Sequence, residues 1–399
     1  MKPAFKVLLP VLAFGALGFA RAGATEKKRL QVFILAGQSN MEGHGFVAAE
    51  PQRNGGRGSL EFLLRDSATA SRFAKYAATG GNASETRAAL RRNPTCVALD
   101  KSVREGKGKC RPGKGVFCNA RHRCYGNNAC RLCEPTAAIQ WRKRDDVWIR
   151  YLHRRGPLTV GYGAVEGPTR PAKIGPELGF GWVVGELEEP VLLIKCAWGG
   201  KSLAVDFRPP SAGRPPYSLG VKSDAAVAQD PAVVGRYYRE MIALTRASFA
   251  RLRAHDGLLA RALGSDGRFV LAGFAWHQGW NDRVGHQGDN FTAEYEANLA
   301  HFIRDVRREL GAPALPFVIG ETGMTGPTEK HPRALALMRA QAAVANQTEF
   351  VAFVGTQAFW RTVEDSPNNH GHHWNSNAGT YILIGEAMGE AMKRLLGPT

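Results

Sequence analysis

Apolar and polar positions follow two rhythms along this chain. Short apolar runs recur at Val32-Phe33-Ile34-Leu35-Ala36, at Val191-Leu192-Leu193-Ile194, and over residues 269–276, 316–320 and 350–354. Runs of this length, rich in β-branched and aromatic residues, predict strands buried on both faces. Trp148-Ile149-Arg150-Tyr151-Leu152 reads as a further strand. Between the runs apolar residues return every three or four positions, which is the helical period. That period predicts helices over residues 60–76, 233–252, 292–310, 333–344 and 376–396. The last carries Tyr381, Ile384, Met388, Ala391 and Leu395 in register, and Gly397-Pro398 ends it. Residues 156–180 are dense in glycine and proline and read as irregular backbone. No apolar period runs through residues 80–136, which read as an insertion.

Strands alternating with amphipathic helices predict a parallel sheet of about five strands with helices on both faces. In such sheets ligands bind beyond the carboxyl ends of the strands. The polar residues at those ends are Ser39, Gly199-Gly200, Gln278 with Asp282, and Glu321. A cluster of His370, His372 and His373 precedes the last helix.

Composition changes the picture in three places. With 44% hydrophobic and 22% charged residues, the 399-residue chain reads as globular, neither disordered nor a membrane bundle. Its first 22 residues are set apart: Lys2 and Lys6 precede an apolar run that ends at Ala20-Arg21-Ala22. That pattern is a secretory signal peptide, too short for a comfortable membrane span, and leaves residues 23–399 as the mature domain. It predicts a secreted or periplasmic protein with no stable membrane insertion after cleavage.

Export gives the cysteines an oxidising setting. Cys96, Cys110, Cys118, Cys124, Cys130 and Cys133 cluster in the insertion and read as a disulfide framework, with 15 pairings open. A zinc site built on Cys130, Cys133 and His122 is the rival reading. Cys196 ends a buried run and reads as an unpaired thiol. The formal charge is +18, and removing Lys2, Lys6 and Arg21 leaves +15. Such a balance favours anionic partners, namely anionic polysaccharide, lipid headgroups or nucleic acid, of which nucleic acid does not suit an exported protein without a recognisable binding motif.

Ser39 needs a base to act as a nucleophile, and a histidine serves best near neutral pH. Donors for the oxyanion would be the Ser39 N–H, a Gly199 or Gly200 N–H, and the Gln278 amide. Together, Gly37-Gln38-Ser39-Asn40-Met41, Gly199-Gly200-x-Ser202, Trp276-x-Gln278-Gly279 and a histidine before the C-terminal helix resemble the SGNH-hydrolase superfamily. The nearest branch is that of the sialate O-acetylesterases and carbohydrate esterase family six. The resemblance implies a flavodoxin-like three-layer α/β/α fold and deacetylation of O-acetylated carbohydrate without a metal or other cofactor. It implies Ser39 as nucleophile, with Gly199 and Gln278 as oxyanion donors.

Two positions depart from the family pattern. Trp280 stands where a glutamate is usual, and the acid expected three residues before the catalytic histidine is His370 or Asn369. His373 is the first choice of base and His372 the second. Asp282 is the first choice of acid, followed by Asp365 and Glu321, with a Ser–His dyad as the other arrangement. A non-catalytic secreted carbohydrate-binding protein is the alternative function, and a lipolytic enzyme, lacking any long apolar lid, ranks third.

Overall fold

The computed structural model describes residues 29–78, 117–118, 124–125, 139–164, 172–254, 268–285 and 287–397. The predicted signal peptide and nearly all of the cysteine-rich insertion lie outside the described residues, as does the zinc alternative. Within the insertion, Phe117–Cys118 pairs antiparallel with Cys124–Tyr125.

Seven strands form the central sheet: β1 (Leu30–Gly37), β2 (Arg144–Tyr151), β3 (Arg154–Leu158), β4 (Val191–Ala197), β5 (Phe269–His277), β6 (Phe317–Gly320) and β7 (Val351–Val354). Their order is β7-β6-β5-β1-β4-β2-β3. All neighbours are parallel except β2 and β3, which form an antiparallel edge. Without that edge pair, the five remaining strands stand 2-1-3-4-5 in chain order. This is the flavodoxin-like order, whose switch point lies between the first and third strands. Here that gap is between β1 and β5. The sheet is thus larger than the five strands expected, because β2 and β3 extend it. Pro157 sits in the edge strand β3, where a missing N–H is tolerated.

The principal helices are α1 (Ser39–Glu42), α2 (Pro176–Val184), α3 (Arg236–Arg253), α4 (Gly288–Glu309), α5 (Pro332–Gln347) and α6 (Ala378–Leu396). Alternate residues of β1 point to opposite faces, as the pleat requires. Phe33 and Leu35 join a core shared with α2 and α6, while Val32, Ile34 and Ala36 join a core shared with α3, α4 and α5. The predicted helix over 60–76 is divided into Leu60–Arg65 and Ala70–Phe73, followed by a 3₁₀ turn.

The largest departure is α2, which occupies the stretch read as irregular. Every residue of α2 is buried. A Cβ on Gly179 would stand 2.3 Å from the Ile382 carbonyl, and one on Gly385 would stand 2.0 Å from the Pro176 carbonyl. The glycines of α2 and α6 therefore let the two backbones touch. They are contact residues, not breakers.

Candidate active site

Ser39 follows β1 directly, at the switch point, and begins the single turn of α1. It is only 7% exposed. Its N–H, at a helix start, has no intrahelical acceptor. The turn after β4 comes close to it: a Cβ on Gly199 would stand 3.8 Å from Ser39 Cβ and 2.9 Å from Glu42 Oε2. A side chain there would crowd the nucleophile helix, so Gly199 is the expected neighbour of Ser39.

Asn40 joins this helix to the histidine loop. Its Nδ2 donates to the His372 carbonyl at 3.1 Å, and its Oδ1 accepts from the buried Tyr381 hydroxyl at 2.9 Å. The same hydroxyl lies 3.3 Å from the His373 carbonyl. The residue beside the serine thus holds the peptides of both candidate bases, directly or through Tyr381. Among the described residues, no hydrogen bond joins the Ser39 hydroxyl to an imidazole.

The loop itself is strained. Trp374, Asn375 and Ser376, directly after His373, all have left-handed backbone with φ of 52°, 52° and 56°. Each costs roughly 1–2 kcal/mol in a non-glycine residue. Burial of Trp374 and bonds from Asn375 Nδ2 to the Arg361 carbonyl and from Asn368 Nδ2 to Ser376 Oγ hold the conformation.

His373 meets a partner that sequence reasoning did not single out. The His44 ring stacks on it with centroids 3.8 Å apart and planes 5° from parallel. Burial, then the positive character of His44, His372, His370 and Lys173, pushes the His373 imidazole down to about 2. His44, buried and beside Lys173, is pushed down to about 3. Both rings are neutral near physiological pH. On the outer side, His372 faces Trp280 at 5.7 Å, and the Arg283 guanidinium lies 3.9 Å over the Trp280 ring. Trp280, at the position of the missing glutamate, packs against the histidine loop.

The three candidate acids are placed elsewhere. Asp282 is fully buried, and its oxygens accept from the Leu203 N–H at 2.9 Å, the Ala204 N–H at 2.8 Å and Gln278 Nε2 at 2.5 Å. Burial raises its carboxyl to about 7. It pins the loop after β4 to the end of β5 and, among the described residues, forms no hydrogen bond with a histidine. Glu321 accepts from the Thr356 and Gln357 N–H groups at 2.7 and 3.2 Å, joining the ends of β6 and β7. Asp365 is exposed and faces Arg57 at 3.8 Å and the Thr362 hydroxyl. None of them orients His373, because each already serves loop backbone or surface partners. Among the described residues, none forms a carboxylate hydrogen bond with that imidazole.

Gln278 also differs from the expectation. Its Nε2 is engaged by Asp282, by the Lys201 carbonyl at 3.0 Å and by Gln38 Oε1 at 3.3 Å, and its Oε1 accepts from Tyr295. Gln38 Oε1 in turn accepts from the Gly279 and Asn281 N–H groups, each at 3.2 Å. In this arrangement both amide hydrogens of Gln278 are committed to Asp282, Lys201 and Gln38, the residue before Ser39. Among the described residues, no group of three or more His, Cys, Asp and Glu side chains is placed to hold a metal.

The family model described as "Carbohydrate esterase, sialic acid-specific acetylesterase" matches residues 113–394, more than half of the chain. The chain belongs to this family of carbohydrate esterases. The matched range contains β4, β5 and the histidine loop, while Ser39 precedes it. No curated protein sequence matches the chain. Solved structures that resemble it include a protein from Arabidopsis thaliana (14% identity, 91% of this chain and 97% of that one, TM-score 0.45). A carbohydrate acetylesterase from Xanthomonas citri resembles it at 13% identity, over 90% of this chain and 55% of that one, with TM-score 0.38. NanS does so at 13% identity, over 92% of this chain and 97% of that one, with TM-score 0.44.

Residues that the family motifs contain without a stated role acquire one here. Asn40 and Gln38 hold the loops around Ser39, and Tyr381 was legible only as one of the apolar positions of α6. A tyrosine in a fully buried stripe is itself a signal, since its hydroxyl must find a partner.

Proposed function

We propose that this carbohydrate esterase is an exported serine esterase that removes O-acetyl groups from carbohydrate through an acyl-Ser39 intermediate. The observation that carries the reading is the bridge Ser39-Asn40-Tyr381, which ties the candidate nucleophile to the His373 loop across the switch point. Ser39 Oγ attacks the acetyl carbonyl carbon while its proton passes to His373. The oxyanion is met by the N–H groups of Ser39 and Gly199. As the tetrahedral adduct collapses, His373 returns the proton to the departing sugar oxygen. Water then attacks the acetyl-serine, with His373 again taking a proton, and acetate leaves. The pair is a dyad: the stacked His44 ring orients His373 where an acid is usual, and the imidazole, held far below its ordinary range by burial, takes the proton only as the developing oxyanion offsets its charge.

Ser39→Ala should abolish hydrolysis of a chromogenic acetyl ester while leaving the circular dichroism spectrum unchanged; undiminished turnover refutes the nucleophile assignment. The second reading, a carbohydrate-binding protein without turnover, draws on the lack of a carboxylate at His373. It predicts glycan binding by wild type with no acetate released.

A further inference from the structure

A group of arginines outside the site described above has no structural explanation of its own. Arg150 in β2 stands directly opposite Arg155 in β3 across the antiparallel pair. Like charges facing each other in this way destabilise a sheet. Arg150 Nη1 donates to Ser248 Oγ on α3 at 3.0 Å, and Arg251, three residues further along α3, completes the group. Arg155 and Arg251 are exposed, and Arg150 is half-buried. Arg154 adds a fixed cation: it donates to the Gly161 and Gly163 carbonyls and lies 4.7 Å over the Tyr151 ring. With Leu152 and His153 these residues line a cavity of about 320 Å³. Among the described residues, no carboxylate pairs with Arg150, Arg155 or Arg251. Burial lowers Arg150, and the charges of Arg251 and Arg155 lower it further.

The position of the cavity connects it with Ser39. β2 runs parallel to β4, so the Arg150 end of the strand is on the same carboxyl edge as the Ser39 site. Tyr151, the next residue, points to the opposite face of β2 and places its hydroxyl 3.1 Å from Glu42 Oε1, at the end of the Ser39 helix, so the arginines and that helix flank the same strand end from its two faces. Two strand spacings separate β1 from β2, roughly 10 Å. Guanidinium forks match carboxylates and sulfates.

We propose that Arg150, Arg155 and Arg251 form a subsite for a negatively charged sugar, uronate or sulfated, in the polysaccharide whose acetylated unit lies at Ser39. The proposal rests on the carbohydrate-ester reading of that site, but its test uses polymers that carry no ester. Titration with de-acetylated polygalacturonate and dextran sulfate, with neutral dextran as control, measures the subsite directly. Wild type should bind either or both charged polymers and not dextran. Binding should weaken with added salt and fall about tenfold in Arg155→Gln/Arg251→Gln, as two surface contacts to one chain imply. The distant exposed pair Lys222→Gln/Arg339→Gln, with the same change in net charge, should leave binding unaltered. Equal weakening by both double variants overturns the subsite in favour of net charge alone. Binding of polyglutamate as tight as that of the polysaccharides, and equally sensitive to Arg155 and Arg251, overturns the carbohydrate assignment in favour of an acidic polypeptide. Binding of neither charged polymer overturns the proposal outright, whatever Ser39 does to a small ester.

Discussion

Asn40→Ala tests whether the residue beside the nucleophile positions the base. The substitution removes a donor 3.1 Å from the His372 carbonyl and an acceptor 2.9 Å from the Tyr381 hydroxyl. Two hydrogen bonds contribute about 2 kcal/mol net, and leaving a buried partner unsatisfied adds about 1–3 kcal/mol. Tyr381 keeps a weaker acceptor, the His373 carbonyl at 3.3 Å, so part of that penalty is recovered. The expected loss of stability is about 2–4 kcal/mol. Released from Asn40, the His372–His373 peptide can shift, and a displacement of 1 Å in a catalytic group costs on the order of 10²-fold in rate. The assay is steady-state hydrolysis of a chromogenic acetyl ester alongside urea unfolding. kcat should fall about 10²-fold, with KM changed far less, because the bonds of Asn40 go to the histidine loop and to Tyr381. Tyr381→Phe removes the other half of the link. In a double-mutant cycle the two changes should couple by more than about 0.5 kcal/mol, the limit within which independent sites add. A kcat within threefold of wild type at reduced stability, or strict additivity, would refute the positioning role.

Three further outcomes follow from the geometry. Lys195→Met should cost about 3–5 kcal/mol, because Lys195 and Glu177 form a fully buried pair at 2.7 Å and removal of the cation strands the carboxylate. Lys195 Nζ also holds the Glu42 carbonyl at 2.7 Å, so denaturant unfolding and ester hydrolysis should both register the change. Asp282→Asn should cost about 1–3 kcal/mol by misplacing a backbone acceptor, with kcat reduced less than tenfold. A triad acid would show a loss of about 10⁴.

Stability should also fall as pH drops from about 6.5 toward 4.5. His44, His277 and His373 are held near 3, 4 and 2, so in that window the unfolded chain binds their protons and the folded chain does not. Asp282, raised to about 7, and Glu321, raised by burial, act in the opposite sense. Three histidines against one carboxylate fully and one partly protonated leave one to two protons, about 1.4–3 kcal/mol per pH unit. Urea titrations at intervals of half a pH unit measure the slope, and a flat or rising profile toward acid would contradict it.

Much of this arrangement was legible because periodicity reports burial, and burial follows the sheet. The runs at 32–36 and 191–194 became β1 and β4, and the helical period over 376–396 became α6 within two residues. α2 escaped because Gly179 and Gly181 signal a break locally, whereas their value is tertiary: they admit the α6 backbone and the Leu158 and Leu193 side chains. The edge strand β3 escaped because Gly156-Pro157 mimics a turn. In the site, strand ends located Ser39 and Gly199 correctly as neighbours, since a parallel sheet brings its carboxyl ends to one edge. The partners of Asp282 and Gln278 could not be read this way. Which acceptor an amide or carboxylate serves depends on loop backbone, and the loop after β4 claims Asp282 through two N–H groups. His44 was missed for a related reason: nothing in a Gly-His-Gly turn announces that its ring will stack on a histidine more than 300 residues away.

The central claim is that Ser39 is an activated nucleophile served by His373, and covalent trapping tests it most directly. Treatment with a fluorophosphonate followed by peptide mass mapping should place the adduct on Ser39. Labelling should be lost in Ser39→Ala and strongly slowed in His373→Ala. An adduct on a different serine, or no adduct on a folded protein, would contradict the account.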